Sequence, residues 1–380
     1  MWVRRINGVV RMKPMLFAVL MVAVAGPTFA EATKSIKFNT RNKGESKPVH
    51  EWGIDATWAS WNNTQESVRN AGDEIDFVRV GFYMHEQYND DGRLSSDQVH
   101  KLDEALNCAK IVGPHVPIMI SPHNEQGIID WYKDSDFDRW YHVMEKTRDY
   151  IESKGHKVVY VEAFNEPDYP KWNMGTKDDL DELLKRLGKW KVLRVGPSVM
   201  NCDGAGAWYD AVDRNLDAGS THTLYGSMKQ FINFMEDVKR DRKKAFCPEL
   251  HSIAEAMAGA DVGVDYMSWW GPVNEARANF MRACQGSRLA YVAVEQNWSA
   301  ACVYRAPDGT LYGFAGANER ENGITTKYKF VCTNEDATYY LNGEMDHGAF
   351  RKRGESFEVE AKPPNGERSL WLKIVPGRPE

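Results

Sequence analysis

Long hydrophobic runs are almost absent from this chain of 380 residues. The longest, Met15 to Ala25, stops well short of the ~20 apolar residues that span a bilayer, and no later stretch approaches it. No membrane span is expected once the N-terminal segment is removed. Cysteine is equally scarce. Six residues (Cys108, Cys202, Cys247, Cys284, Cys302, Cys332) are too few for a disulfide scaffold, and no two have the C-x-x-C spacing of a zinc or redox site. A Cys302–Cys332 bridge within one sheet stays open, since spacing alone does not give connectivity. Glycine never forms a Gly-x-Gly-x-x-Gly turn or a phosphate loop, which removes the usual dinucleotide and nucleotide cradles. His-x-His and His-Glu-x-x-His are missing too, so a metal-dependent hydrolase would need the scattered His123, His222 and His251 to converge. No cofactor and no metal are expected.

An excess of positive charge is also lacking. The chain carries 48 Lys+Arg against 54 Asp+Glu, a net charge of −6. Binding a polyanion needs basic patches, so no nucleic-acid partner is expected. The run Lys239-Arg240-Asp241-Arg242-Lys243-Lys244 reads as a solvated helix end before a strand.

What is present begins at the N-terminus. Arg4, Arg5, Arg11 and Lys13 precede the Met15–Ala25 stretch, and Gly26-Pro27-Thr28-Phe29-Ala30 places small residues before a cleavage point after Ala30. Residues 1–30 therefore read as a signal peptide and the protein as secreted or periplasmic, with an N-terminal anchor as the alternative. Removing four positive charges and no acid takes the net charge from −6 to −10.

From His50 to Trp270 short apolar runs alternate with amphipathic stretches. The strand candidates are Trp52–Ala56, Phe77–Phe82, Val116–Ser121, Val158–Phe164, Leu193–Val199, Ser220–Tyr225, Ala245–Glu249 and Tyr266–Trp269. Between them, segments such as Ser96–Ile111, Asp136–Ser153, Lys177–Leu187 and Met228–Lys239 repeat apolar residues three and four apart. Alternation of this kind predicts an α/β fold, a (β/α)8 TIM barrel over residues 31–287, with an open doubly wound sheet as the alternative. After Ser287 the pattern becomes short strands at close spacing, with Asp308-Gly309 and Asn342-Gly343 as hairpin turns. Residues 288–380 thus read as a smaller C-terminal antiparallel β-sandwich domain, to which a strand from residues 35–39 could be added. The joint around Gln285–Arg288 is short and should be rigid.

In such barrels the reacting groups project from the C-terminal ends of the strands. Strand two contains Arg79. Strand three is followed by His123 and Asn124, and strand four by Asn165, Glu166 and Pro167. Strand six carries His222 and Tyr225, strand seven Glu249, and strand eight Trp269 and Trp270. Trp58 and Trp61 follow strand one. Two glutamates brought to one rim by different strands are the minimum equipment for glycosidic bond cleavage. Thirteen Trp and sixteen Tyr supply aromatic faces, a minority of which would suit stacking on sugar rings. Glu255 rivals Glu249, but lies in a helical segment four residues from His251. Glu162 reads as one half of a buried ion pair.

On these residues the chain resembles clan A of the retaining glycoside hydrolases, in which an Asn-Glu pair ends the fourth barrel strand and a Glu ends the seventh. The resemblance covers the barrel and does not assign a family within the clan; Pro248 departs from the commoner wording before the second acid. It implies Glu166 as acid/base and Glu249 as nucleophile. Asn165 would meet a sugar 2-hydroxyl and Arg79 would lie beneath the nucleophile. His222 or Tyr225 would be the strand-six partner, and Trp269 or Trp270 the floor of the −1 subsite. Arg79 and a Tyr225 hydroxyl are expected to lower the Glu249 pKa, and the charge of Glu249 to raise that of Glu166. The substrate would be a polysaccharide or oligosaccharide, acted on by a monomer. A non-catalytic carbohydrate-binding barrel is the competing function.

Overall fold

Period-two alternation along eight short strands decides what fills the centre of this fold. The computed structural model describes residues 32–58, 60–84, 89, 91–123, 137–318, 325–341, 351–354, 356–361 and 370–377. Strands Glu51–Asp55, Phe77–Tyr83, Ile118–His123, Val158–Glu162, Leu193–Asn201, Ala218–Tyr225, Lys244–Leu250 and Tyr266–Trp269 pair in parallel. The eighth pairs with both the first and the seventh, closing the barrel. Helices Trp61–Ala71, Ser96–Val112, Phe137–Ser153, Lys177–Leu187, Ala205–Val212, Met228–Arg240 and Ile253–Val262 connect successive strands, and Glu275–Cys284 follows the last. This is the expected (β/α)8 barrel, with boundaries shifted by a few residues.

Inside the cylinder Phe77, Met119, Tyr160, Val195, Ala218 and Phe246 form an apolar layer near the strand starts. Two residues further along the same faces the chain turns polar: Arg79, Ser121, Glu162 and Ser220 are all buried. The side chains between them point outward to the helices, as Val78, Ile120, Val161 and Cys247 do. The polar layer lies at the strand ends, where the loops leave the barrel.

The remaining strands form two sheets. One has seven strands in the order Arg351–Gly354, Ala337–Leu341, Leu370–Pro376, Leu311–Ala317, Ser299–Arg305, Ser287–Val294 and Glu45–Ser46. The other has Ala32–Phe38, Thr326–Cys332 and Ser356–Ala361. All pairings are antiparallel except that of Ala32–Phe38 with Thr326–Cys332. Ile36, Phe38, Tyr328 and Phe330 from the small sheet meet Val303, Leu311, Tyr339 and Ile374 from the large one in a shared core. Two strands carry no apolar alternation and escape the sequence reading, Glu45–Ser46 and Arg351–Gly354. Asn342-Gly343 lies outside the described residues. The Cys302–Cys332 bridge is not made: the two lie in different sheets, and all six cysteines are free and buried. Among the described residues no helix is long and apolar enough to cross a membrane.

Candidate active site

Arg79 is the hub of the polar layer. Wholly buried, it donates from Nη1 to Asp55 Oδ2 and Glu249 Oε1, both at 2.6 Å. From Nη2 it donates to Ser121 Oγ at 2.8 Å, Asn165 Oδ1 at 2.9 Å and Glu162 Oε2 at 3.0 Å. Five partners from four strands and one strand-end loop converge on one guanidinium, as its rigid fork of donors allows. Burial opposes its charge, but Glu249, Glu162 and Asp55 outweigh this and hold its pKa well above the ordinary value.

Two backbone irregularities aim the glutamates. Beyond strand four the chain turns sharply, Glu166 adopts a left-handed φ of 54°, and its N–H donates to Ser198 O at 2.9 Å. Such a conformation costs a non-glycine residue energy and is found where surrounding structure enforces it. On strand seven the register against strand eight runs Cys247↔Met267 and then Leu250↔Trp269, so one extra residue is inserted. Without it Glu249 would share the outward face of Cys247. The bulge at Pro248–Glu249 turns the carboxyl inward, and proline is tolerated there because a bulge leaves a ladder position unpaired.

The result is a compact acid–imidazole–acid cluster. His222 Nδ1 is 3.2 Å from Glu166 Oε1 and 3.6 Å from Glu249 Oε2. One carboxylate oxygen of each glutamate and the imidazole nitrogen all lie within 4.8 Å of one another. Trp172 Nε1 donates to Glu166 Oε2 at 2.7 Å, and His251 Nε2 is 3.8 Å from Glu249 Oε2. Burial alone would discharge His222, but the charge of Glu249 and the hydrogen bond to Glu166 push its pKa up to about 9. For Glu166, burial is outweighed by His222, the Trp172 indole and Arg79, leaving its pKa below the usual range. For Glu249, burial dominates over His222 and Arg79 and raises it, with Glu166 and Asp55 adding to the rise. That order is the reverse of the sequence expectation. The sequence points to Arg79 and Tyr225 beside Glu249 but not to an imidazolium between the two acids. It places Arg79 beneath Glu249, whereas the guanidinium is divided among three carboxylates. The three groups titrate as a unit.

The same three groups offer ligand types and a spacing that a divalent cation accepts. Against that use, Glu249 already accepts from Arg79 and a hydrogen bond already joins His222 to Glu166. Such an arrangement suits proton transfer better than metal binding.

Beside the cluster lie two adjoining compartments, called inner and outer by whether they touch both glutamates or only Glu166. The inner one, 270 Å³, touches both glutamates and is walled by Trp58, Trp172, His251 and Trp270. The outer one, 490 Å³, touches Glu166 but not Glu249 and is walled by Tyr169, Trp172, Met200, Leu224 and Tyr225. Another cavity, 460 Å³, opens between helices Trp61–Ala71 and Ser96–Val112 and includes Trp61, but neither glutamate faces it.

Every expected residue but Asn124 has a definite place. Asn165 is buried, its Oδ1 held by Arg79 so that its amide is oriented beside Glu166. His123 is covered by Trp58, ring centroids 4.0 Å apart, and touches Tyr83 on another side. Trp58 is 42 % exposed and lines the inner compartment. His222, not Tyr225, reaches the acids; Tyr225 is 60 % exposed in the outer compartment. Trp270 lines the inner compartment and lies against His251, centroids 4.9 Å apart. Trp269 does not belong to the cleft. It is fully buried on the outward face of strand eight, stacked on Trp52 at 5.8 Å and under the Arg277 guanidinium at 4.5 Å. Tyr266 already faces the interior, so alternation sends Trp269 outward. Asn124 lies outside the described residues. Glu255 is a helix cap, accepting from His251 N at 2.6 Å and Ser252 N at 2.9 Å. Glu162 is in a buried ion pair, as expected, and its partner is Arg79. The sequence reading misses Trp172 and Asp55, and weighs His251 only as a metal ligand or a helix-surface contact. For Trp172 a signal existed, an aromatic-rich loop directly after the strand-four acid.

No protein-family model matches the chain, and no curated protein matches it in sequence. Solved structures do match in fold. One is a glycoside hydrolase family 30 subfamily 8 xylanase from Clostridium acetobutylicum, with a TM-score of 0.51 and 11 % identity over 90 % of this chain and 100 % of that one. Another is a glucosidase from Croceicoccus marinus, with a TM-score of 0.53 and 14 % identity over 92 % of this chain and 100 % of that one. At these identities the likeness is one of fold.

Proposed function

We propose that the protein is a retaining β-glycoside hydrolase that cleaves a polysaccharide or oligosaccharide by double displacement. One observation carries this reading: carboxylate oxygens of Glu166 and Glu249 within 4.8 Å of each other at the mouth of a closed barrel. Retaining enzymes hold the pair ~5–5.5 Å apart, whereas inverting enzymes need ~6.5–9.5 Å to admit a water between the acid and the sugar. In the first half, the Glu249 carboxylate attacks the anomeric carbon while the bond to the leaving oxygen breaks. Glu166 gives its proton to that oxygen. In the second half, water attacks the same carbon, Glu166 takes the water's proton, and Glu249 leaves as carboxylate.

The reactive form needs the proton on Glu166 and the charge on Glu249. In the free cluster His222 and Glu249 hold protons more firmly than Glu166 does. A sugar entering the inner compartment displaces water from Glu166 and so favours its neutral form. The His222 Nδ1 proton, 3.2 Å from Glu166 Oε1, has a direct path to it. Asn165 would donate to the 2-hydroxyl, and Trp58 and Trp270 would flank the ring.

Purified protein should hydrolyse a member of a β-glycan panel. Glu166→Ala and Glu249→Ala should each lower kcat by roughly 10³-fold or more, by loss of the acid or the nucleophile. Azide should restore turnover of an activated aryl glycoside to Glu166→Ala, with a β-glycosyl azide as product. Full activity in either variant removes the assignment. Export belongs to the same reading and rests on residues 1–30; the secreted form should begin at Glu31 on N-terminal sequencing.

A further inference from the structure

The two compartments differ in which acid they touch, and this fixes their order along a substrate. The sugar that is attacked must lie where Glu249 can reach its anomeric carbon, which is the inner compartment. The group that departs must lie against the acid that protonates it. The outer compartment meets Glu166 without meeting Glu249, and the inner one meets both. Its volume, 490 Å³ against 270 Å³, gives the departing group more room than the attacked ring.

We propose that the outer compartment is a leaving-group site for sugar rings, with Tyr225 as its platform, so that the enzyme favours internal glycan bonds over glycosides of small aglycones. The inference rests on the glycosidase reading above and deepens it. Three aromatic rings, Tyr169, Trp172 and Tyr225, stand around this space with Met200 and Leu224. Tyr225 is 60 % exposed. An open ring that stays partly wet suits a pyranose, which offers an apolar C–H face and keeps its hydroxyls in water. A purely apolar aglycone would gain more from an enclosed pocket. Trp172 walls both compartments and donates to Glu166 Oε2, so it stands where the bond between the two rings would be cut. Tyr225 is the last residue of strand six, and its backbone carbonyl accepts from Cys202 N at 3.1 Å, which fixes the base of the platform.

The test compares kcat/KM for β-linked gluco-, xylo- and manno-oligosaccharides of three to six units with kcat/KM for the matching nitrophenyl glycosides. In Tyr225→Ala the oligosaccharide-to-aryl ratio should fall at least tenfold, mostly through KM, and Tyr225→Phe should restore it. A ratio within twofold of wild type overturns the proposal, as does equal loss on both substrates. If wild type cleaves neither class, the glycosidase reading falls separately. Binding of the same oligosaccharides to Glu249→Gln, followed by tryptophan fluorescence, then tests the compartment. At least fivefold weaker binding when Tyr225→Ala is added supports the platform. Unchanged binding, or no binding to begin with, overturns it.

Discussion

The imidazole of His222 has no contact with solvent, yet it stands between two carboxyls at 3.2 and 3.6 Å. Around it Asp55, Glu162, Glu166 and Glu249 share two cations, Arg79 and His222 itself. Loss of the His222 charge would leave four buried acids on one guanidinium, so the cation persists up to about 9. Activity should therefore fall on the alkaline side with an apparent pKa of about 9. His222→Asn should lose that limb and lower kcat/KM by roughly 10²-fold, as for removal of a positioned proton-transfer group. Stability should follow the same titration. A histidine raised in the fold stabilises fully below its unfolded value of about 6.5, and that contribution is lost as pH climbs through its folded value. Melting temperatures measured from pH 6 to 10 should decline more steeply for wild type than for His222→Asn. Parallel curves would show that His222 is neutral in the fold. None of this was legible in the sequence, because a pKa depends on distances that only the closed barrel creates. The Asn165-Glu166-Pro167 strand ending was legible, since a local apolar run ending in an acid needs no tertiary information. Trp269 and Trp270 could have been separated by counting alternation from Tyr266.

All eight barrel strands were legible for a similar reason. Each is a short apolar run bounded by charged helical stretches, and Tyr266–Trp269 and Lys177–Leu187 have the expected bounds. What strict alternation hides is where it breaks. The bulge that turns Glu249 inward leaves no trace in the sequence except Pro248, whose departure from the commoner wording marks the irregularity itself. The loop after strand six carries a second constraint. Gly226 has φ +93°, and a Cβ there would come within 2.5 Å of Cys202 Sγ and 3.0 Å of Asp203 N. Ser227 immediately begins a capped helix, its side chain accepting from Gln230 N at 3.2 Å, so the loop has little length in which to adjust. Gly226→Ala should destabilise by roughly 1–3 kcal/mol through forced backbone strain, read as a lower midpoint in chemical denaturation. Tyr225 is the preceding residue, so oligosaccharide KM should rise as well. An unchanged midpoint would show that the turn accommodates a side chain.

The seven-stranded sheet is buried on both faces, and this binds the C-terminal strands to the barrel. Ala300, Cys302, Tyr304 and Phe314 join the core that includes barrel strands and helices, while Ala301, Val303 and Ala315 face the small sheet. Phe280, from the last barrel helix, meets Tyr304 and Phe314 edge-on at 5.8 and 5.3 Å. Gly316 lies so close over helix Ile253–Val262 that a Cβ would stand 2.3 Å from Ile253 Cγ2. Strands buried on both sides read as nearly unbroken apolar runs, as in Ser299–Arg305, which is why the sequence placed them but could not say what covered the second face. Two polar contacts extend the joint to the rim of the cleft. Trp298 Nε1 donates to Gly226 O at 2.7 Å in the loop after strand six, and Asn318 Nδ2 donates to Glu255 Oε1 at 2.6 Å in the first turn of the helix after strand seven. The boundary near residue 287 therefore divides the architecture without dividing the core. Expressed alone, residues 31–287 would expose Phe280 and Ile253, at roughly 1.5–3 kcal/mol for each large apolar side chain returned to water. Among the described residues, the strand Ala32–Phe38 would also lose its one strand partner, Thr326–Cys332. The truncated chain should aggregate or bind a hydrophobic dye, without a cooperative thermal transition. If it is instead soluble, monomeric and fully active on an aryl glycoside, the barrel folds by itself, and the contacts of Trp298 and Asn318 add nothing to the rim they touch.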